Sequence, residues 1–405
     1  MQIVYAVYNQ YSDARRAHAS CPDPTVRKDR AATPRESIAC TSGMATGLWR
    51  TVGTLFLSLL LGACATTPPE PTAAETARDL QAVIKSEHLT DGRGRFREVL
   101  CTVLDQHGRD QPDYRPCEEA LRKLEPESGA TNEPVALGTS KANYLALLVP
   151  GLGWNCFEEW LDISGSAPAY AARFGYELRT VPIDGLSSSG NNARIISEYV
   201  ASLPEKDAGR PIILIGYSKG TPDILEAVTS YPDLAKRVAA VISLSGAVRG
   251  SALADDASQA TANMLTMVPG SKCEKTDGDN DAVASLRPAV REQWLATHEL
   301  PTEIRYYSVV TYPAPERVSW ALENSYKLLG EQDSRNDTQV IIFDQIIPGS
   351  TLVAFLNADH WAVAVPVARG HSIVGSTLVN HNDYPREVFL EALMRYVEED
   401  LSAGR

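Results

Sequence analysis

The sequence predicts a doubly wound α/β fold with a mostly parallel sheet, an inserted cap or lid and a helical N-terminal extension. Three observations carry that expectation. From Asn143 onward, apolar runs of strand length alternate with segments whose apolar residues recur every three to four positions, the pattern of parallel strands joined by crossover helices. One run, Ile212 to Ile215, passes into a helical pattern through a very short turn, IILIGYSKGTPDILEA at 212 to 227. The alternation is then broken between residues 250 and 300, a stretch too long to be structureless filler in a compact domain. The chain has 405 residues and is 44% hydrophobic, with a formal net charge of -13. That length allows one large domain or two ordinary ones. The acidic balance, with no basic cluster to interrupt it, argues against nucleic acid as a partner.

The N-terminal segments come first. In MATGLWRTVGTLFLSLLLGAC, residues 44 to 64, Arg50 leads into an apolar run from Thr51 to Leu61. That run is too short to span a bilayer comfortably and has the layout of a signal peptide over 44 to 63. Its ending, Leu61-Gly62-Ala63-Cys64, resembles the lipobox of bacterial lipoproteins. The resemblance implies that Cys64 is lipidated and becomes the first mature residue. Ala65, where an aspartate is absent, resembles the outer-membrane-directed pattern. The implied location is the bacterial cell envelope, lipid-anchored at the outer membrane on its periplasmic or surface side. Residues 1 to 43 are unpatterned and would make an abnormally long leader, so translation is expected to start at Met44. Residues 64 to 75, rich in proline, threonine and alanine, read as a tether.

Residues 76 to 140 read as a helical extension and linker without a strand, with helices in RFREVLCTVL and CEEALRKLE on either side of the loop DQHGRDQPDYRP. Four cysteines follow Cys64: Cys101, Cys117, Cys156 and Cys273. In an oxidising compartment an even number points to two disulfides, with three pairings open. The economical pairing staples the helical hairpin through Cys101 and Cys117, which leaves Cys156 for Cys273.

The α/β part, 141 to 405, contains strands in YLALLVPG, YELRTVPID, PIILIGYS, VAAVISLSG, EIRYYSVVTY and TLVAFLNADH. Helices are expected in EEWLDIS, ARIISEYVASL, the segment after Gly220, and the closing YPREVFLEALMRYVEEDL. The insertion, about 250 to 300, has the length of a cap or binding loop. Its Met264, Leu265 and Met267 could face a site or simply pack.

The turn at 216 to 220 raises a chemical question. A strand-to-helix turn that tight strains its central residue, and it is tolerated when the residues two before and two after have no side chains. Gly216 and Gly220 meet that requirement and lift Ser218 out of the sheet at a helix N-terminus. This is the nucleophile-elbow arrangement. Gly216-Tyr217-Ser218-Lys219-Gly220 in this context resembles the α/β-hydrolase family, and the pieces around it resemble bacterial serine lipases and esterases. The resemblance covers residues 141 to 400 and implies a triad in the order serine, acid, histidine.

His360, directly after the last apolar strand in LNADHWAVA, matches the family's general base; His371 and His381 also follow that strand and are weaker candidates. SRNDTQV, residues 334 to 340, resembles the S-x-N-D-G-x-V segment that carries the triad acid, which makes Asp337 the match. Thr338 departs from the family's glycine. Asp344, an aspartate inside the apolar run IIFDQII, is the rival acid, since its burial needs a partner. Asp359, adjacent to His360, should point to the opposite face. Pro150-Gly151-Leu152-Gly153 resembles the family's His-Gly-x-Gly segment with proline in place of histidine, so the oxyanion hole would draw on the N–H groups of Leu152 and Lys219. The Lys219 side chain is expected to be solvated.

The implied activity is hydrolysis of a carboxylic ester with a lipid or other hydrophobic acyl group, through an acyl-enzyme. Partners are the ester substrate and a membrane reached through Cys64. No metal or cofactor is called for: there is no H-E-x-x-H, cysteine ligand pair or phosphate loop. An acyltransferase on the same fold, or a non-catalytic binding lipoprotein with a degenerate hydrolase fold, would share much of this pattern. Oligomeric state is left open by the sequence.

Overall fold

The computed structural model describes residues 70–154, 166–256, 279, 281–370 and 376–403. The leader, signal peptide and Cys64, the proposed partners Cys156 and Cys273, the lid residues Met264, Leu265 and Met267, and His371 lie outside the described residues.

Eight strands form one sheet: β1 (Thr90–Asp91), β2 (Leu121–Arg122), β3 (Leu145–Val149), β4 (Glu177–Thr180), β5 (Ile212–Tyr217), β6 (Val238–Leu244), β7 (Arg305–Thr311) and β8 (Thr351–Leu356). Their order is β1-β8-β7-β6-β5-β3-β4, with β2 also on β8. Every pairing is parallel except β2 with β8. Among the described residues, the helices of seven residues or more are α1 (Ala73–Ser86), α2 (Arg93–Val103), α3 (Ser166–Ala172), α4 (Ser189–Ala201), α5 (Gly220–Ser230), α6 (Pro288–Thr297), α7 (Glu323–Gly330) and α8 (Arg386–Ala403).

Both faces of the sheet are covered, which is why its central strands are apolar throughout rather than alternating. On β5, Ile213, Ile215 and Tyr217 join a core with Phe96, Leu100 and Val103 of α2, Tyr170 of α3, and Phe389, Leu393 and Val397 of α8. Ile212 and Leu214 face the opposite layer, with Ile196 of α4 and Ile224, Leu225 and Val228 of α5. Burying each such aliphatic side chain contributes about 1.5 to 3 kcal/mol. From β3 the chain crosses to β4 on one side, then returns to β5 on the other. The loops after β3 and β5 therefore diverge and leave a crevice at their carboxyl ends, the usual ligand position in such sheets.

Three features differ from the sequence expectation. The extension is not free of strands: β1 and β2 pair with β8, Thr90 opposite Thr351 and Leu121 opposite Leu356. Each has two residues, too few for a period to be read. The helix opening at Cys117 accordingly ends at Ala120. The insertion after Gly250 also ends earlier than residue 300, because α6 packs Trp294 and Leu295 against the α4/α5 layer as an ordinary crossover helix. Finally, α1 starts at Ala73, inside the stretch read as tether. Thr72 forms a capping box with Glu75, the Glu75 N–H donating to the threonine hydroxyl at 3.2 Å and the Thr72 N–H to the carboxylate at 2.8 Å. The Cys101–Cys117 disulfide joins α2 to the turn before β2, with Cα atoms 5.0 Å apart.

Candidate active site

β5 ends at Tyr217 and α5 begins at Gly220, so Ser218 and Lys219 alone make the turn. Ser218 has φ +54°, a left-handed conformation of the kind that costs about 1 to 3 kcal/mol in a non-glycine residue. The surroundings hold it there. Its N–H donates to Leu244 O at 3.1 Å, and its carbonyl accepts from Thr221 N and Ala247 N, both at 3.1 Å. The two glycines are steric requirements: a β-carbon on Gly216 would stand 2.6 Å from Thr221 Cα, and one on Gly220 would stand 2.0 Å from the Val149 carbonyl oxygen.

The strand ends bring three predicted residues together. His360 follows β8, and its Nε2 lies 2.9 Å from Ser218 Oγ. Its Nδ1 lies 2.7 Å from Asp337 Oδ2. An ionised carboxylate can only accept, so Nδ1 carries the proton and the Nε2 lone pair faces the serine hydroxyl. The imidazole is fixed from behind: its backbone N–H donates to Asp337 O at 2.9 Å, and the buried Tyr217 hydroxyl donates to His360 O at 2.7 Å.

Asp337 is fully buried and accepts four hydrogen bonds. Gln339 N and Val340 N donate to Oδ1 at 2.9 and 2.8 Å, while Thr311 Oγ1, at the end of β7, donates to Oδ2 at 2.5 Å beside the histidine. Thr338, where the family has glycine, takes φ +88°. The loop thus keeps a glycine-like backbone in spite of the substitution, and Thr338 N donates to Asn336 Oδ1 at 2.9 Å. Asp344 makes no hydrogen bond to His360; burial pushes its carboxyl up to about 6, partly offset by Arg249. Asp359 turns away from the imidazole, accepting from Ser319 N, Trp361 N and Ala362 N at 3.0, 3.1 and 2.9 Å, and burial pushes its carboxyl upward. His381 makes no bond with Ser218 or Asp337.

On the far side of Ser218 lies the loop after β3. A β-carbon on Gly151 would stand 2.9 Å from Ser218 Cβ. Among the described residues, neither the Leu152 N–H nor the Lys219 N–H enters a backbone hydrogen bond, and Leu152 is 39% exposed. Both groups are free to meet a ligand. The Lys219 side chain departs from expectation. It is fully buried, not solvated, with Nζ donating to both Asp223 oxygens at 2.8 and 3.0 Å. A mostly apolar cavity of about 80 Å³ opens beside Tyr217, lined also by Pro150, Trp154, Leu244 and Val363, with Arg386 and Glu387 in its wall. Sequence reasoning missed Tyr217 and Thr311 as supports. Tyr217 sits inside the elbow motif itself, and Thr311 is a polar residue ending an apolar strand, a signal that could have been used. Among the described residues no His, Cys, Asp and Glu group could hold a metal ion, and no helix is long and apolar enough to cross a membrane.

The metagenomic carboxyl esterase MGS0156 is 39% identical to this chain, covers 80% of it and 99% of its own length, and superposes with a TM-score of 0.72. The mature Bacillus licheniformis lipase BlEst2 is 20% identical over 60% of this chain and 94% of its own, with a TM-score of 0.44. The Staphylococcus hyicus lipase is 13% identical over 66% and 99%, with a TM-score of 0.47. No protein-family model matches the chain, and no curated protein does. The identity and coverage shared with the metagenomic enzyme, on a parallel sheet of this topology, make the chain a member of the α/β-hydrolase-fold carboxyl esterases.

Proposed function

We propose that the protein hydrolyses carboxylic esters through an acyl-enzyme on Ser218, with His360 as general base and acid and Asp337 as its orienting carboxylate. The observation that supports this best is the continuous line from Ser218 Oγ to His360 Nε2 at 2.9 Å and from His360 Nδ1 to Asp337 Oδ2 at 2.7 Å. A bare hydroxyl is a weak nucleophile at neutral pH, and this arrangement gives it a base. Oγ attacks the acyl carbon while its proton moves to Nε2. The carbonyl oxygen gains the negative charge and accepts hydrogen bonds from Leu152 N–H and Lys219 N–H, the latter at the positive end of α5. Collapse breaks the ester C–O bond, and the alcohol leaves with the proton from Nε2. Water repeats the sequence on the acyl-enzyme, losing a proton to His360 and releasing the acid, and Ser218 regains its hydrogen.

The acyl group in this reading is hydrophobic, in keeping with the mostly apolar cavity beside Tyr217 and Trp154. We further propose that Cys64 is lipidated and that residues before α1 tether the enzyme to the outer membrane. The pattern of residues 44 to 64 supports this.

Labelling with a fluorophosphonate probe tests the nucleophile: wild type should be labelled, and Ser218→Ala should lose both label and esterase activity. Retained hydrolysis in Ser218→Ala would reject the mechanism. Rates across esters of increasing acyl length test the substrate, a maximum at two to four carbons excluding a lipase. Intact-mass analysis of the membrane fraction should find diacylglycerol on Cys64, and an unmodified soluble protein would exclude the anchor.

A further inference from the structure

We propose that Lys219, besides offering its backbone N–H, is a positioning residue whose buried side chain sets the place of the opposite oxyanion donor, Leu152. This rests on the Ser218 reading above.

The argument follows a continuous path of buried polar groups. Lys219 Nζ donates to Asp223 Oδ1 and Oδ2 at 2.8 and 3.0 Å, one turn along α5. Asn192 of α4 donates through Nδ2 to Asp223 Oδ2 at 2.8 Å and to Asp184 O at 2.9 Å. Its Oδ1 accepts from Asp184 N at 3.1 Å. Asp184 in turn shapes the 184–187 turn, its carboxylate accepting from Leu186 N at 3.0 Å and Ser187 Oγ at 2.6 Å. That turn holds the loop after β3, since Gly153 N donates to Gly185 O at 3.0 Å. Leu152 lies between Gly151, packed on Ser218, and Gly153, tied to this turn.

Lys219, Asp223 and Asn192 are completely buried. Burial of an ammonium and a carboxylate is unfavourable unless both are paired and further hydrogen-bonded, so the path has little freedom to rearrange. One end is the residue that supplies one donor, and the other end is the hinge of the second. An oxyanion hole works by holding its donors where charge will develop, and a small displacement loses much of the benefit. The motif position after the nucleophile therefore serves twice, through its amide and through its ammonium.

Two variants cut the path at different points. Lys219→Met removes the ammonium at nearly constant shape; Asp223 keeps Asn192 and the field of the buried Arg291. Asn192→Leu leaves the Lys219–Asp223 pair and separates it from the turn. Val228→Ala, a core change elsewhere on α5, serves as the control for general loosening. For each, kcat and KM are measured on p-nitrophenyl butyrate per serine labelled to completion by a fluorophosphonate, together with Ki for an alkylboronic acid, whose tetrahedral adduct places an oxygen in the hole.

In both path variants kcat should fall by about 100-fold, as on loss of one oxyanion donor. Boronate affinity should weaken in parallel, with KM within threefold of wild type. Val228→Ala should lower the melting temperature without these losses. A kcat within threefold of wild type in either path variant overturns the proposal. So does a fall in kcat with boronate affinity unchanged, or an equal fall in Val228→Ala. If Ser218→Ala is itself active, the parent mechanism has failed; if it is inactive while Asn192→Leu behaves as wild type, this inference alone has failed.

Discussion

Gly151 and Ser218 are in such close approach that a β-carbon on the glycine would lie 2.9 Å from the serine Cβ and 3.4 Å from its Oγ. The loop after β3 is thereby registered directly on Ser218. Gly151→Ala must push the loop, and the Leu152 N–H with it, away from the reacting carbonyl. A drop in kcat of about 100-fold is expected with little change in KM, since the lost interaction is made in the transition state. Steady-state kinetics on a short aryl ester will check this, and wild-type kcat would show that the loop does not serve the oxyanion.

Thr311 predicts a smaller effect. Its hydroxyl is one of four donors to Asp337. Hydrogen bonds to charged groups contribute about 1.5 to 3 kcal/mol, and the three remaining donors limit the damage. Thr311→Val should reduce kcat/KM by about tenfold, and Thr311→Ser should recover most of it. Equal loss in both variants would point to packing instead.

Thr338 predicts a gain. A β-branched residue at φ +88° is strained, and among the described residues its buried hydroxyl has no partner. Thr338→Gly removes both penalties. The gain is offset in part by the greater freedom of glycine in the unfolded chain. A net stabilisation of about 1 kcal/mol is expected, or about 2 °C in melting temperature for a domain of this size. A lower melting temperature would mean that the threonine's packing outweighs its strain.

Asp344 predicts a pH dependence. Burial raises its carboxyl from 3.8 to about 6 in the folded protein. Between about pH 4 and 6 the folded state therefore holds a proton that the unfolded chain has released. The associated stability is fully present below about pH 4 and is lost as pH rises through 6. Asp344→Asn should thus be more stable than wild type at pH 8, by at most about 3 kcal/mol, with the difference closing by pH 4. A difference that is constant across this range would remove the carboxyl as its source.

The layout of the candidate site was readable because its residues sit at strand ends. Ser218 follows β5, His360 follows β8, and both strands are apolar runs bounded by short turns. Asp337 was named from a loop motif rather than from periodicity, and what distinguishes it from its rival Asp344 is that His360 meets the Asp337 carboxylate. Lys219 shows what a linear reading lacks. Its ammonium is matched by Asp223, four residues on, which looks like an ordinary solvated helix pair. The tertiary layer around it, with Asn192 of α4 donating to Asp223, makes it a buried one. The strands β1 and β2 escaped for a different reason: two residues have no pattern of their own, and their conformation is imposed by β8.

Those two short strands also decide where the enzyme can be cut. Together they occupy the outer margin of β8, the strand that delivers His360, while α2 shields the sheet beside it. A recombinant fragment trimmed to begin at residue 141 would strip away this border and leave a long row of unpaired amides and carbonyls next to bare apolar surface, an invitation to stick to other copies. The region that looks like a dispensable spacer is in that sense the hem of the catalytic body, and expression designs should begin upstream of Thr72.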